Sequence, residues 1–298
     1  MKILLLGKGG QVGWELQRSL APLGEVIAIG RSPTESGLSG DVTDLPGLRN
    51  TIRTIQPDVI VNASAYTAVD KAESDRSTAS LVNEHACAVL AIEAKAAGAW
   101  LVHYSTDYVF SGSGDKPWLE TDPVGPLNHY GASKLAGERA IVASGCHYLI
   151  FRTSWVYSAR GNNFIKTILR LARERDRLTV IDDQVGAPTG AELLADVVAQ
   201  AIPRAMANPR LAGLYHLAAS GETSWYGFAR FVLDFAKSNG AALAVETLDP
   251  IPTSSYPTPA QRPLNSRLST QKLQDNFSIS LPRWENGVTR MLMETLEK

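Results

Sequence analysis

A tyrosine and a lysine near the middle of the chain have a spacing that could support proton transfer. Tyr130 and Lys134 stand four positions apart in a segment with helical periodicity, so their side chains share one helix face. An ammonium group close to a phenol favours the phenolate and lowers the tyrosine pKa from its reference value of about 10. We therefore expect Tyr130 to donate a proton to a carbonyl oxygen, with Lys134 as its support. Taken alone, this spacing fits an exposed tyrosine beside a solvated lysine more often than a catalytic pair.

A glycine-rich turn is the second chemical feature, and it directly follows the apolar residues 3–6. Its glycines are Gly7, Gly10 and Gly13. Glycines let the backbone turn tightly and approach a pyrophosphate, which a helix beginning after the turn would bind at its N-terminus. Such a turn alone is a weak signal, because many loops contain glycine for geometry only. Together with the tyrosine and the lysine, it predicts redox chemistry on a nicotinamide dinucleotide.

The elements that would position these groups alternate between strand-like and helical patterns. Strands are expected near residues 3–6, 25–29, 59–62, 101–105 and 148–152. This alternation predicts an α/β fold with a Rossmann-type, doubly wound parallel sheet. Ligands collect at the carboxyl ends of the strands in such a sheet, so polar residues there converge on one crevice. Thr106 follows the fourth strand and would supply a hydroxyl to a substrate carbonyl.

The combination of motifs resembles the dTDP-4-dehydrorhamnose reductase family of the extended short-chain dehydrogenase/reductase superfamily. The resemblance covers nearly the whole chain, and its most discriminating segments are residues 152–157, 186–189 and 262–267. It implies reduction of the 4-keto group of dTDP-4-dehydro-6-deoxy-L-mannose to dTDP-L-rhamnose, the final step of dTDP-rhamnose synthesis for polysaccharides. It also implies a nucleotide-sugar substrate, an associated Mg²⁺ without assigned ligands, and a homodimer.

The resemblance also assigns roles to individual residues. It implies Thr106, Tyr130 and Lys134 as the catalytic set, with Asp107 and Trp155 facing the sugar. Tyr130 and Lys134 would also contact the cofactor, the lysine at its ribose hydroxyls. The other residues implied to line the cofactor are Gln11, Val12, Asp41, Val42, Ala65, Tyr66, Thr67 and Tyr104. No metal ligand is assigned, because no carboxylate cluster has a recognisable ligand spacing.

The end of the second predicted strand indicates the form of the cofactor. An NAD enzyme usually places a carboxylate there to bind the adenosine ribose, whereas this chain has Arg31 and Ser32. Both side chains can bond a ribose phosphate, and the guanidinium can also stack on adenine. We therefore expect NADPH, with the acceptance of NADH left open. A solvated turn arginine is the alternative.

Two arginines near the C-terminal end could bind the pyrophosphate of a nucleotide sugar. A nearly neutral protein must meet such a ligand with a few placed cations rather than a broad positive field. Arg262 and Arg267 are the best candidates, because Pro263 stiffens the short segment that carries both. Pairing of each arginine with a surface carboxylate is an equally good explanation.

Composition sets the outer limits on function and organisation. The 298 residues are 44% apolar with a formal net charge of -1, so a large core is possible and nucleic acid is not an expected partner. Cys87 and Cys146 suggest neither a disulfide framework nor a zinc site. No stretch reaches the ~18 apolar residues of a membrane span, and we predict a cytoplasmic protein without membrane contact. We place a dinucleotide-binding lobe at residues 1–157 and a mainly substrate-binding lobe at 158–298, interleaved and with an approximate boundary.

Two other functions remain open at this point. Related nucleotide-sugar epimerases share the glycine turn and the tyrosine–lysine pair and would retain NAD through each cycle. The same fold also serves as a non-catalytic regulatory subunit, which tight binding to a partner protein without turnover would indicate. Dehydratases of this fold carry an Asp-Glu pair after the threonine, whereas here Tyr108 follows Asp107, which disfavours elimination.

Overall fold

A six-stranded sheet determines where the candidate residues lie. The computed structural model describes residues 1–296. The strands are β1 (Lys2–Leu6), β2 (Glu25–Ile29), β3 (Val59–Asn62), β4 (Trp100–Thr106), β5 (His147–Thr153), β6 (Val156–Tyr157), β7 (Arg177–Ile181), β8 (Val185–Gly186), β9 (Thr189–Gly190), β10 (Gly213–His216), β11 (Thr223–Ser224) and β12 (Thr247–Ile251). The large sheet has the order β10-β5-β4-β3-β1-β2, and every neighbouring pair is parallel.

Helices cover both faces of this sheet. They are α1 (Gln11–Leu20), α2 (Leu45–Ile55), α3 (Val69–Ala72), α4 (Arg76–Ser80), α5 (Ala86–Ala97), α6 (His129–Ser144), α7 (Phe164–Glu174), α8 (Ala191–Ala207), α9 (Trp225–Ser238), α10 (Gln271–Phe277) and α11 (Trp284–Leu296). α1 and α8 share a core with Leu5 on one face, and α2 and α5 share a core with Leu4 on the other. The predicted doubly wound α/β fold is confirmed. Within residues 1–296, no helix is long and apolar enough to cross a membrane.

The central strands are buried on both faces, which explains why their sequences are continuously apolar rather than alternating. Leu4, Leu5 and Ile60 have no solvent exposure. The register pairs Leu6 of β1 with Asn62 of β3, so the polar side chains begin where the strands end. The sheet therefore presents its first functional groups at its carboxyl edge.

The chain returns to the large sheet after residue 157. β10 adds to the edge beside β5, and α8 packs against α1. A third core forms around Phe228 and Trp284, together with the parallel pairs β7–β12 and β6–β9 and the antiparallel pair β8–β11. Residues beyond 157 thus contribute both to the core of the large sheet and to the core around Phe228 and Trp284. The division into 1–157 and 158–298 stays a prediction.

Candidate active site

The glycine turn between β1 and α1 forms a cradle that requires glycine. Gly7 has a φ of 83°, and a Cβ on it would lie 2.8 Å from the carbonyl carbon of Ala63. A Cβ on Gly13 would lie 2.1 Å from the carbonyl oxygen of Gly7. α1 starts at Gln11, and its N-cap, Gly10, offers no side-chain hydrogen bond, so the first N–H groups of the helix are free for a ligand. This helix end fits a pyrophosphate.

A cleft of about 540 Å³ runs from this cradle along the carboxyl ends of β3, β4 and β5. The predicted site residues that line it are Gly10, Gln11, Val12, Ala65, Thr67, Tyr104, Thr106, Asp107, Tyr130, Lys134 and Trp155. The predicted residues outside its lining are Gly7, Gly13, Arg31, Asp41, Val42, Tyr66, Arg262 and Arg267. The structure therefore brings the candidate catalytic residues and most of the candidate cofactor residues to one place.

Thr106 and Tyr130 meet at the centre of the cleft. Thr106 ends β4, and Tyr130 lies in the first turn of α6, which Asn128 caps by accepting a hydrogen bond from the N–H of Gly131 at 2.8 Å. The Thr106 hydroxyl donates to Oδ1 of Asp107 at 3.2 Å. Burial raises the pKa of Tyr130 to about 12, although a hydrogen bond with the Thr106 side chain lowers it in part. Tyr130 therefore keeps its proton at neutral pH, as a proton donor must.

Lys134 has a different environment from the one that its spacing predicts. Its Nζ donates to the carbonyl oxygen of Tyr104 at 2.6 Å and lies 3.0 Å from Nε2 of His103. Three factors change the pKa of Tyr130: burial, the hydrogen bond with Thr106 and the charge of Asp107. The prediction that Lys134 lowers the pKa of Tyr130 is therefore wrong for this structure, because burial dominates and the pKa rises.

Asp107 places a buried carboxyl beside the threonine and the tyrosine. It is 2% exposed, and its Oδ2 has no hydrogen-bond partner among the described residues. Burial raises the pKa of Asp107 to about 6, although the hydroxyls of Ser266 and Thr106 lower it. A carboxyl with this pKa changes charge close to neutral pH, so it can accept a hydrogen bond from a ligand hydroxyl or donate one to it.

Three hydroxyl groups in the lining also lack partners within residues 1–296. They belong to Tyr104, Ser105 and Thr153. Buried polar groups in folded proteins are nearly always hydrogen-bonded, so unpartnered hydroxyls around one cleft indicate a polar ligand or ordered water there. The donor and acceptor set fits the ribose and amide groups of a dinucleotide.

Trp155 and Trp225 form an aromatic wall of the cleft. Trp155 has a φ of 49°, a left-handed conformation that is costly for a bulky side chain and is concentrated at functional sites. Its ring stacks on Trp225 with centroids 3.7 Å apart and planes at 14°. Trp225 Nε1 donates to Oε1 of Gln184 at 3.1 Å, which fixes the outer ring. No sequence pattern pointed to Trp225, which lies 70 positions downstream of its partner.

Two exposed cations, one from each of the turns after β1 and β2, lie by the carboxyl end of β2. Arg31 is exposed, and a Cβ on the neighbouring Gly30 would lie 3.5 Å from Cε of Lys8. Lys8 was not predicted, although its place inside the glycine turn is a usable signal. Asp41 closes a turn in which its Oδ1 accepts from the N–H of Thr43 at 2.9 Å and from its hydroxyl at 2.8 Å. This corner favours an anionic group over an unmodified ribose.

Val42 and Tyr66 lie behind the cleft rather than in its lining. Val42 belongs to the core beneath α2. The Tyr66 hydroxyl donates to Oδ2 of Asp75 at 3.1 Å, and its N–H donates to Oδ1 of Asn83 at 2.9 Å. A direct cofactor contact by either residue stays a prediction.

Both arginines predicted to bind a pyrophosphate are paired with carboxylates. Arg262 donates through two nitrogens to Asp70, at 3.0 and 2.7 Å. Nε of Arg267 donates to Glu222 at 2.7 Å, and both residues line a separate cleft of about 340 Å³. Carboxylate pairing, the explanation that the sequence left open, is present at both positions. A phosphate ligand would have to displace these partners.

No group of three or more acidic, histidine or cysteine side chains in residues 1–296 could hold a metal ion. The Mg²⁺ implied by the resemblance is therefore not supported by a cluster of ligating side chains in this part of the chain. Cys87 and Cys146 are buried and free.

Comparison with known proteins gives matches along the full chain. A family model described as the RmlD substrate binding domain matches residues 1–297. The dTDP-4-dehydrorhamnose reductase of Escherichia coli strain K12 is 57% identical over 294 residues, which cover 99% of this chain and 98% of that protein. The crystal structure of a dTDP-4-dehydrorhamnose reductase from Clostridium acetobutylicum has a TM-score of 0.90 at 34% identity and covers 100% of both chains. The Bacillus anthracis enzyme, solved in complex with NADP, has a TM-score of 0.86 at 32% identity over 99% of each chain.

Proposed function

Because the chain belongs to the dTDP-4-dehydrorhamnose reductase family, a family of oxidoreductases, we propose that it reduces the 4-keto group of dTDP-4-dehydro-6-deoxy-L-mannose. The product is dTDP-L-rhamnose, and the reaction is the final step of its synthesis. The observation that carries this proposal is the meeting of Thr106, Asp107 and Tyr130 in one cleft that begins at the glycine cradle. Full-length identity of 57% to the Escherichia coli reductase supports it independently.

The residues of this chain divide the chemistry between them. A bound nicotinamide dinucleotide supplies the hydride. Tyr130 holds a proton at its phenol oxygen, because burial raises its pKa to about 12, and gives that proton to the carbonyl oxygen of the sugar. Thr106 polarises the same carbonyl oxygen when its single hydroxyl proton turns from Oδ1 of Asp107 to the sugar. Since Thr106 and Asp107 are almost fully buried, their hydrogen bonds act in a medium of low dielectric constant.

The cofactor is NADPH in this proposal. The free N–H groups at the start of α1 bind its pyrophosphate, and Arg31 with Lys8 binds the phosphate on its adenosine ribose. Support comes from the relative from Bacillus anthracis, whose structure holds NADP. Lys134 contacts the ribose hydroxyls near the reacting end. Acceptance of NADH stays open.

The sugar lies between Asp107 and the tryptophan wall. The ring of Trp155 offers an apolar plate for the methyl group of a deoxysugar, and Trp225 fixes that plate by stacking on it. Arg262 and Arg267 bind the nucleotide phosphates only if they release Asp70 and Glu222. A homodimer and a cytoplasmic location stay predictions.

Substrate-dependent oxidation of NADPH tests the function. The purified protein is mixed with dTDP-4-dehydro-L-rhamnose generated in the assay, with NADH in a parallel reaction. We expect rapid oxidation of NADPH that requires the sugar. Absence of oxidation with either cofactor would contradict the proposal, and tightly bound NAD in the purified protein would then indicate an epimerase.

A further inference from the structure

A chain of four hydrogen-bonding contacts links the end of β3 to Lys134. The N–H of Ser64 donates to Oδ1 of Asn62 at 3.1 Å, and Nδ2 of Asn62 lies 3.2 Å from Nδ1 of His103. Nε2 of His103 lies 3.0 Å from Nζ of Lys134, which donates to the carbonyl oxygen of Tyr104 at 2.6 Å. All the side chains in this chain of contacts are buried.

The backbone groups at its two ends fix the direction of every hydrogen bond. The N–H of Ser64 can only donate, so it holds Oδ1 of Asn62 and turns the amide Nδ2 toward His103. Nδ2 can only donate, so Nδ1 of His103 is the acceptor. The carbonyl oxygen of Tyr104 can only accept, so it takes a proton from Lys134.

This direction leaves one protonation pattern for the histidine and the lysine. A neutral imidazole has one acceptor nitrogen, and Nδ1 of His103 is that acceptor, so Nε2 carries the proton. Nε2–H then donates to Nζ of Lys134 at 3.0 Å, a closer partner than the Cys87 thiol at 3.8 Å, so Nζ must offer a lone pair and is therefore an amine. The opposite tautomer would place two donors 3.2 Å apart, with only the thiol of Cys87, 3.9 Å from Nδ1, as an alternative acceptor.

Burial favours the amine form of Lys134 as well, although the charges of Cys87 and Glu138 raise its pKa in part. Lys134 is 2% exposed and belongs to none of the ion pairs found within residues 1–296. The titratable groups that face it are Cys87 from α5, His103 from β4 and Glu138 from α6, and the carboxylate of Glu138 is paired with Arg152 of β5. Burial lowers the pKa of Lys134, and burial together with Lys134 lowers the pKa of His103. A buried cation without a partner is unfavourable.

We propose that His103 is a positioning residue that orients Lys134 and keeps it as a neutral amine until the cofactor binds. On binding, Nζ takes a proton from water and becomes an ammonium group that donates to ribose oxygens instead of meeting the imidazole N–H. The identity of the cofactor rests on the function proposed above. The state of Lys134 before binding rests on the hydrogen-bond chain alone.

NMR titration of the purified protein without added nucleotide tests the first part. Lysine is labelled with ¹³C at Cε, and the signal of Lys134 is identified by its loss in Lys134→Met. We expect this signal to report an amine at neutral pH while the exposed lysines report ammonium. His103→Gln offers a carbonyl oxygen that can accept from an ammonium group, so we expect about tenfold less amine at a given pH. His85→Gln, at an exposed histidine, is the matched control and should leave the signal unchanged.

The titration has two outcomes that would overturn the proposal. One is an ammonium signal for Lys134 in the wild-type protein at neutral pH. The other is an identical titration in the wild type and in folded His103→Gln. If His103→Gln does not fold, Asn62→Ala replaces it, because loss of Nδ2 frees the tautomer of His103 and should also raise the pKa of Lys134.

Proton uptake on binding NADP⁺ tests the second part without turnover. The pH change is recorded in weakly buffered solution, and the change in Lys134→Met is subtracted to remove the contribution of the ligand phosphate. We expect net uptake that depends on Lys134 and decreases in His103→Gln. Equal proton uptake in all three proteins would contradict the proposal. Because neither experiment requires the sugar, an inactive protein with this uptake would refute the reductase function alone.

Discussion

Two buried basic side chains on the α6 side of the sheet, Lys134 and Arg152, differ in whether a carboxylate lies beside them. Arg152 is 4% exposed and donates to both carboxylate oxygens of Glu138, at 2.9 and 2.6 Å. Lys134 is equally buried and has a backbone carbonyl and an imidazole as its partners. Each of the two side chains lies near a histidine that burial keeps neutral, His216 for Arg152 and His103 for Lys134.

This difference indicates that Arg152 stabilises the fold, whereas Lys134 is available for chemistry in the cleft. A bidentate carboxylate holds the charge of Arg152 permanently and ties α6 to β5, away from the cleft. Lys134 lines the cleft and has no carboxylate partner among residues 1–296, so a ligand can change its protonation state. A carboxylate partner would hold Lys134 as an ammonium group, and a ligand could then no longer change its protonation state.

The largest expected effect is on stability, from breaking the compensated pair. Glu138→Gln leaves Arg152 buried without a counter-charge, so we expect the free energy of unfolding to fall by about 3–5 kcal/mol. Urea denaturation measures it, and turnover per folded molecule should change little. Glu174→Gln, which breaks the exposed pair with Arg170, is the control and should cost less than about 1 kcal/mol. Equal losses of stability in Glu138→Gln and Glu174→Gln would show that the buried pair stabilises the fold no more than the exposed pair does.

The buried histidines give the next effect, through pH. Burial and the charge of Arg152 lower the pKa of His216 to about 3, so the unfolded chain takes up its proton first as the pH falls. Stability is therefore lost below about pH 6.5, and His216 alone should contribute about 2 kcal/mol of loss by pH 5. Denaturation of wild type and His216→Asn at about pH 6.5 and at about pH 5 measures the part of the stability loss that His216 causes. An unchanged pH dependence in the variant would show that His216 is not the titrating group.

Arg31 extends the comparison to an exposed cation that forms no ion pair with the carboxylates of residues 1–296. Arg31→Ala should weaken NADPH binding about tenfold, or about 1.4 kcal/mol, because one phosphate contact is lost. NADH binding should change little, since NADH lacks that phosphate. Fluorescence titration with both cofactors gives the ratio, and Arg210→Ala at another exposed arginine is the control. An equal loss for NADPH and NADH would assign Arg31 to the adenine instead.

The smallest expected effect concerns the half-exposed pair of Arg262 and Asp70. Asp70→Asn should cost less than about 1 kcal/mol of stability, because solvent screens this pair. If Arg262 binds the nucleotide phosphates, release from Asp70 should also lower KM for the nucleotide sugar. An unchanged KM would show that Arg262 forms a surface ion pair with Asp70 and does not bind the nucleotide phosphates.

Local sequence patterns predicted the part of the site that backbone geometry builds. The glycine turn, the strand ends carrying Thr106 and Asp107, and the start of α6 with Tyr130 all follow from residue types at short spacing. What the sequence could not predict depends on distant contacts. Trp225 reaches Trp155 only through the packing of α9, and β10 joins the sheet from the second half of the chain.

The electrostatic prediction failed for a related reason. Helical spacing places Tyr130 and Lys134 on one face, but it does not contain the imidazole of His103 or the carbonyl of Tyr104 that hold the lysine. Nor does it contain the burial that raises the pKa of Tyr130. Burial and hydrogen-bond partners are properties of the folded protein, and they determine that the pKa of Tyr130 rises rather than falls.

Sugar-dependent NADPH oxidation by wild type and Tyr130→Phe, at saturating cofactor, tests the central claim most directly. The account predicts that turnover falls by about 10²- to 10⁴-fold in the variant while the Kd for NADP⁺ and the free energy of unfolding stay close to the wild-type values. Wild-type turnover in Tyr130→Phe would contradict it, because the proton would then come from another group.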